Sequence, residues 1–303
     1  FVDVIAETSG RDLLQFKRWY SQSGTPKVQI QSDWDADSGK MSIALQQSTP
    51  PTPGQTSKQA FCIPIRLSLF DHSGKKLQSD YLGNTNDEHL IELSLDEQSC
   101  ELLLNQPVSG EPILSALRGF SAPVRLQLRQ SDQDLAILMA HDDDAFNRWE
   151  AAQKLGLKQV LNGVKAIQNG DPAAIGPDFV AVMNTVLDND EIEDALKAQL
   201  LTLPTEAYVS QHLDIIDPYA VHEARKAVLR HLASELRPQY EQVYTLAQTK
   251  NHGVWNSIES GARALRDTCL ATLMRLDQED VWQTAEHLYD QSLCMGDTIS
   301  ALT

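Results

Sequence analysis

The sequence predicts a multi-domain β + α chain: a two-sheet β-sandwich of the immunoglobulin-like kind, then an all-α, solenoid-like helical array. Three observations carry this. Apolar residues recur with a period of two from Thr25 to Gln130, the period lengthens to 3.6 after Ser131, and 303 residues suffice for roughly two cores.

The chain opens on Phe1 rather than Met, which predicts that sequence upstream was removed. Phe1, Val4 and Ile5 share a helical face, and Ser9-Gly10-Arg11-Asp12 offers a hydroxyl cap with an acid three residues on, ahead of Leu13, Leu14 and Phe16. Helices this short are marginal unless packed on a partner. Residues 1–18 are therefore expected to be the trailing edge of another domain.

Residues 19–130 follow as the sandwich. Val28 and Ile30, then Met41, Ile43 and Leu45, alternate with outward residues, and Phe61, Ile63, Ile65, Leu67 and Leu69 fall on one face as only a strand allows. Asp71-His72-Ser73-Gly74 signals a hairpin, and further strands are expected at Ile91–Leu95, at Leu102–Leu104 and across Val124, Leu126 and Leu128. Pro50, Pro51, Pro53 and Gly54 make a loop. Pro64 donates no ladder hydrogen bond, so its strand is expected at an edge or a bulge.

Residues 131–303 read as helices. Ser131 and Asp134 form a capping pair ahead of Leu135, Leu138 and Met139. Helices are then expected at Phe146–Leu157, Val160–Gln168, Phe179–Leu187, Ile192–Leu201, Ala220–Leu236, Tyr240–Thr249, Val254–Leu276 and Val281–Cys294. Pro172, Pro177, Pro204 and Pro218 separate them, because proline starts or ends helices. Short helices in series imply stacked antiparallel pairs, without a repeated consensus at fixed spacing.

Composition excludes several functions. Lys and Arg number 25 against 42 Asp and Glu, a net charge of −17, with acids in runs such as Asp142-Asp143-Asp144 and Asp188 to Asp194. Nucleic acid and anionic lipid need a basic face that this chain lacks; the acid runs are expected to be solvated surface. Cys62, Cys100, Cys269 and Cys294 lie far apart, which implies reduced thiols and a cytoplasmic location. No run approaches a membrane span.

No catalytic, cofactor-binding or metal-ligating constellation emerges. His222-Glu223-Ala224-Arg225-Lys226 begins like the zinc helix HExxH, but Lys226 replaces the second histidine, so a surface helix turn is expected. His141 with the three following aspartates lacks the spacing and glycine of a calcium loop, and reads as a helix terminus with solvated acids. Trp19, Tyr20, Trp34, Trp149, Trp255 and Trp282 are expected in core or interdomain packing rather than as ligand platforms.

The stretch Phe16-Lys17-Arg18-Trp19-Tyr20-Ser21-Gln22-Ser23-Gly24-Thr25-Pro26 resembles the passage from catalytic domain to sandwich in the bacterial aminopeptidase N family, the alanyl aminopeptidases of the gluzincin class. The likeness continues through Leu69-Phe70-Asp71, Phe120-Ser121-Ala122-Pro123-Val124, Arg148-Trp149, Leu201-Thr202-Leu203-Pro204, Leu213-Asp214-Ile215-Ile216-Asp217-Pro218 and Cys269-Leu270. Asp142 and Asp143 depart from the family pattern. The resemblance implies a zinc peptidase whose metal helix and amino-terminus-binding loop lie upstream of Phe1 and whose helical domain continues past Thr303. This segment would then carry no zinc and be inactive alone, its partners being the catalytic domain of its own chain and, through it, peptide substrates. The alternative is a stand-alone sandwich and solenoid scaffold for protein partners.

Overall fold

The computed structural model describes residues 1–80 and 89–302, in two compact units, Phe1–Asn147 and Arg148–Thr303. Thr303 itself lies outside the described residues.

The first unit begins with α1 (Val2–Ser9) and α2 (Arg18–Ser21), neither of which buries a residue. Ser9 does not cap a second helix as its position suggested. Gly10, at φ 66°, ends α1, and the Ser9 hydroxyl donates back to Ile5 O at 2.7 Å. The next stretch is tied to the sandwich: the Trp19 indole donates to Cys62 O at 2.9 Å, and its ring lies 4.4 Å from that of Phe61.

The strands are β1 (Lys27–Asp35), β2 (Lys40–Ser48), β3 (Ile63–Phe70), β4 (Lys76–Leu77), β5 (Ser79–Asp80), β6 (His89–Leu93), β7 (Glu97–Leu104), β8 (Ile113–Ala116) and β9 (Arg125–Leu128). One sheet runs β5-β7-β2-β1-β9, with β9 parallel to β1, and in the other β3 pairs with β4, β6 and β8. The inward residues Val28, Ile30, Met41, Ile43, Leu45, Phe61, Ile63, Ile65, Leu67 and Leu69 form the core between them. Gln47 continues the inward face of β2 as a polar residue. Its side chain accepts the Phe61 N–H at 2.7 Å and donates to Phe61 O and Leu95 O, both at 2.9 Å, so nothing polar is stranded.

Pro64 sits where β3 has a strand on one flank only, opposite Glu92 of β6; β8 joins the other flank from Leu67 onward. Two residues on, the Arg66 N–H donates to Ser121 Oγ at 3.2 Å rather than to a strand, so the donor that proline lacks falls on an open edge. Leu95 is exposed, because β6 ends at Leu93 and the chain then turns into β7. β8 escapes the alternation test because all four of its residues are buried.

A helix completes this unit. Ser131 and Asp134 form a reciprocal capping box on α3 (Asp132–His141), at 3.1 and 2.8 Å, and Leu135, Leu138 and Met139 are buried. The chain then enters α4 (Ala145–Gln168), whose first residues to Asn147 still belong here.

The second unit is entirely helical: the rest of α4, then α5 (Pro177–Asp188), α6 (Asp194–Leu201), α7 (Glu206–Ser210), α8 (Pro218–Glu235), α9 (Arg237–Thr249), α10 (Ser257–Leu273), α11 (Glu279–Asp290) and α12 (Met295–Leu302). α10 packs on α9 and α6, α7 on α8, and α11 on α12. The two helices expected across 146–168 are one, since no breaker separates them. Gly156 and Gly163 stay helical and admit close neighbours: a Cβ on Gly163 would stand 3.1 Å from Ala224 Cβ. Prolines fall as expected, Pro177 and Pro218 in first turns, with the Asp217 carboxylate accepting the Ala220 N–H at 3.0 Å. α10 starts later than its apolar pattern indicated. Asn256 caps it, and the Glu259 carboxylate turns back to accept the N–H groups of His252 and Val254 at 2.9 Å each, holding residues 252–255 as a loop. α7, at five residues, is too short for its periodicity to register, and α12 is a helix that the apolar pattern does not indicate.

Candidate functional site

The residues singled out by sequence do not converge. Histidine 222, in the first turns of α8, meets the Glu206 carboxylate at 2.9 Å on an exposed face, while Lys226 pairs with Glu223 at 3.6 Å. An ammonium standing where the second imidazole must be does not fit zinc. Among the described residues no group of three or more His, Cys, Asp or Glu is placed to hold a metal ion. The four cysteines are free thiols; burial pushes Cys100 up to about 11 and Cys269 up to about 12, which keeps both protonated at neutral pH. No helix among the described residues is long and apolar enough to cross a membrane.

The acidic run after α3 is the clearest departure from expectation. Its first member is not solvated: Asp142 is 1% exposed. The turn Leu117–Phe120, with Leu117, Gly119 and Phe120 all at positive φ, carries Arg118 inward beneath the end of β8. There the Arg118 Nη1 donates to Asp142 Oδ1 at 2.5 Å, while its Nη2 pairs with Asp143, and the guanidinium lies 5.8 Å from the Phe70 ring centre. Ser115 Oγ donates to Asp142 Oδ2 at 2.6 Å, and Asn147 Nδ2 donates to Ser115 Oγ at 2.6 Å and Ala116 O at 2.9 Å. Asp144 accepts the Gly119 N–H at 2.7 Å and, as a cap at the start of α4, the Asn147 N–H at 2.9 Å.

Each aspartate therefore has its own role. Burial pushes the Asp142 carboxyl up, against Ser115 and Arg118, whereas Lys76 and Arg118 outweigh burial and hold Asp143 below the ordinary range. The cluster pins a turn, a strand end and a helix start. Its one exposed acid, Asp143, is held between Lys76 and Arg118, and the remaining contacts join backbone and side chains of the unit itself, so the cluster's role is structural. His141 points elsewhere, against the hairpin turn at Gly74, where a Cβ would come within 2.3 Å of its ring. That explains glycine at φ 84° there.

The second unit has a matching buried pair that sequence reading missed. Arg266, fully buried on α10, donates to Asp297 of α12 and to Asp267, both at 2.7 Å, and Asp297 also accepts the Leu293 N–H at 3.0 Å. Nothing in the local pattern links positions 31 residues apart. The aromatics divide. Trp19 and Trp34 pack on the sandwich core, but Trp255 is 92% exposed and Trp282 half exposed.

Comparison with known proteins accounts for both units. A family model described as an Ig-like domain of unknown function, DUF3458, matches residues 24–129, and one described as ARM repeats, DUF3458_C, matches residues 132–303. The aminopeptidase N of Escherichia coli is 34% identical over 273 residues, 90% of this chain and 31% of that protein. That of Haemophilus influenzae is 30% identical over 303 residues, 100% of this chain and 34% of that protein. That of Caulobacter vibrioides is 35% identical over 274 residues. The crystal structure of Legionella pneumophila aminopeptidase A in complex with aspartic acid matches with a TM-score of 0.80 and 25% identity, over 99% of this chain and 34% of that one. The chain spans about a third of the length of these relatives. With its helical unit matched as ARM repeats and its sandwich as the Ig-like domain that precedes them, the chain belongs to the DUF3458_C family and is homologous along its length to the aminopeptidases N.

Proposed function

We propose that the chain is a non-catalytic portion of a zinc-dependent aminopeptidase that removes N-terminal residues from peptides. In this reading the sandwich, residues 19–130, acts as a spacer. The helical array, residues 131–303, covers a metal centre carried by a catalytic domain of the same longer protein. The observation that supports it most is colinear similarity to proteins named aminopeptidase N over 90–100% of this chain and 30–34% of theirs. A helical array over a hydrolytic centre admits a chain terminus, turns away folded proteins and limits bulk water. Residues 1–18 would pack on the catalytic domain, which accords with the exposure of Phe1, Val4, Ile5 and Leu14. Free thiols accord with a reducing, cytoplasmic setting.

The scaffold alternative is favoured by one observation, the solvent-exposed apolar group at Ile215, Ile216 and Tyr219. Hydrolysis of an alanine arylamide separates the two. The parent chain is expected to turn it over, to act far more slowly on the same N-terminus in a folded protein, and to bind zinc; the 303-residue chain alone is expected to do none of these. Turnover or stoichiometric zinc in the isolated chain, or an inert parent, sinks the assignment.

A further inference from the structure

Within the helical unit a cleft of about 300 Å³ opens between the α6–α7 connection, α8, α10 and α12. Two arginines line it, Arg225 from α8 and Arg275 from the turn after α10. Arg225 Nε donates to Pro204 O at 3.0 Å, which fixes the plane of its guanidinium, and its two Nη groups have no partner among the described residues. Arg275 likewise has no hydrogen-bond or ion-pair partner among them, although the chain carries 17 more acids than bases. Burial lowers the Arg225 pKa; Glu206 opposes this, and the nearby Arg275 adds to it. Glu206 meets His222 instead of either arginine. Two guanidiniums thus line one cleft without a direct carboxylate contact among the described residues.

The remaining polar groups narrow what could occupy it. Thr268 donates to Ala264 O at 2.8 Å, Thr272 to Thr268 O at 2.9 Å, and Ser300 to Asp267 Oδ2 at 2.6 Å. Their protons are engaged, so toward the cleft these hydroxyls present only lone pairs. Asp267 accepts two bonds from Arg266 at Oδ1 and one from Ser300 at Oδ2, which leaves Oδ2 with a free acceptor position. The lining therefore combines cationic donors with hydroxyl and carboxylate acceptors. A plain anion would satisfy the arginines but face Asp267 and the oxygen lone pairs.

We propose that this cleft binds a small zwitterion, a free α-amino acid, with its carboxylate between Arg225 and Arg275 and its ammonium against Asp267 and the threonine oxygens. The bidentate fork of arginine suits the carboxylate. The apolar lining from Leu229 and Ala271 is left for a short side chain.

Isothermal titration calorimetry of the chain tests this with four probes: alanine, propionate, ethylamine and inorganic phosphate. Alanine is expected to bind with a stoichiometry of one, and each of the others at least about tenfold more weakly. Arg275→Gln is expected to weaken alanine about tenfold while the ligand-free melting temperature stays the same, since Arg275 is exposed and has no ion-pair partner among the described residues. Phosphate or propionate binding as tightly as alanine would mark a simple anion cleft and overturn the proposal. So would an Arg275→Gln chain that binds alanine unchanged, or a wild-type chain that releases no heat with alanine at tens of millimolar.

Discussion

Arg118 and Asp142 are the residues on which the first unit is most exposed to damage. Taking one partner from a buried ion pair leaves the other charge desolvated, so Asp142→Ala is expected to cost about 3–5 kcal/mol. Replacing both, as in Arg118→Met with Asp142→Leu, should restore most of that, because no charge is then stranded. Urea unfolding of the single and double variants checks the order; a double variant as unstable as the single one contradicts it. Asp297 makes a pH prediction in the second unit. Burial raises its carboxyl, but Arg266 and the Leu293 N–H outweigh that and hold it below the ordinary range. The unfolded state therefore binds the proton more readily. The stabilisation is complete above the unfolded aspartate value of about 3.9 and is lost as pH falls through it toward the depressed folded value. Asp297→Asn should flatten the acid limb of stability against pH, and an unchanged limb would show that the pair does not govern it.

At the scale of elements, the packing of α10 on α6 is decided by a missing side chain. A Cβ on Gly261 would lie 3.0 Å from the Ala195 backbone nitrogen and 3.1 Å from its Cβ. Alanine normally gains about 1 kcal/mol over glycine inside a helix. Here backbone must yield, so Gly261→Ala is expected to destabilise the helical unit by roughly 1–3 kcal/mol; a rise in its melting temperature would show that α6 shifts freely. The capping box on α3 gives the complementary test. Ser131→Ala should cost about 1 kcal/mol through the orphaned Asp134 N–H, read as a shift in the denaturant midpoint of the first unit. These elements differ in how much of them local patterning reveals. β2 and β3 alternate cleanly because one face meets the core, and α3 announces its cap. β8 is buried on both faces and α7 is five residues long, so neither carries a usable period. The single helix α4 reads as two at Lys158-Gln159, although the buried stripe of Leu155, Gly156, Val160, Gly163 and Val164 runs through that point.

For the whole molecule the dominant quantity is charge. An excess of 17 acids should attract cationic ligands at low ionic strength. If the chain covers an aminopeptidase centre, kcat/KM of the parent for lysine- and arginine-rich peptides should fall as salt rises, while that for neutral peptides holds. Equal salt dependence of the two would remove any steering role. The change of apolar period at Ser131, the proline breaks and the order of class-defining runs were all properties of neighbouring residues. They determined without further help that a β-sandwich precedes a helical array, because one-sided burial imprints its period on local sequence. The burial of Asp142 escapes local patterning for the same reason. Whether Asp142 faces water depends on Arg118 arriving from 24 residues away, and whether Arg266 finds Asp297 depends on α12 returning to α10. Arg225 and Arg275 likewise line one cleft only because helices distant in sequence bring them together. Tertiary structure alone decided which charges are buried, paired or left facing a cavity, since Coulomb energy and desolvation follow distance in space, to which separation along the chain is a poor guide.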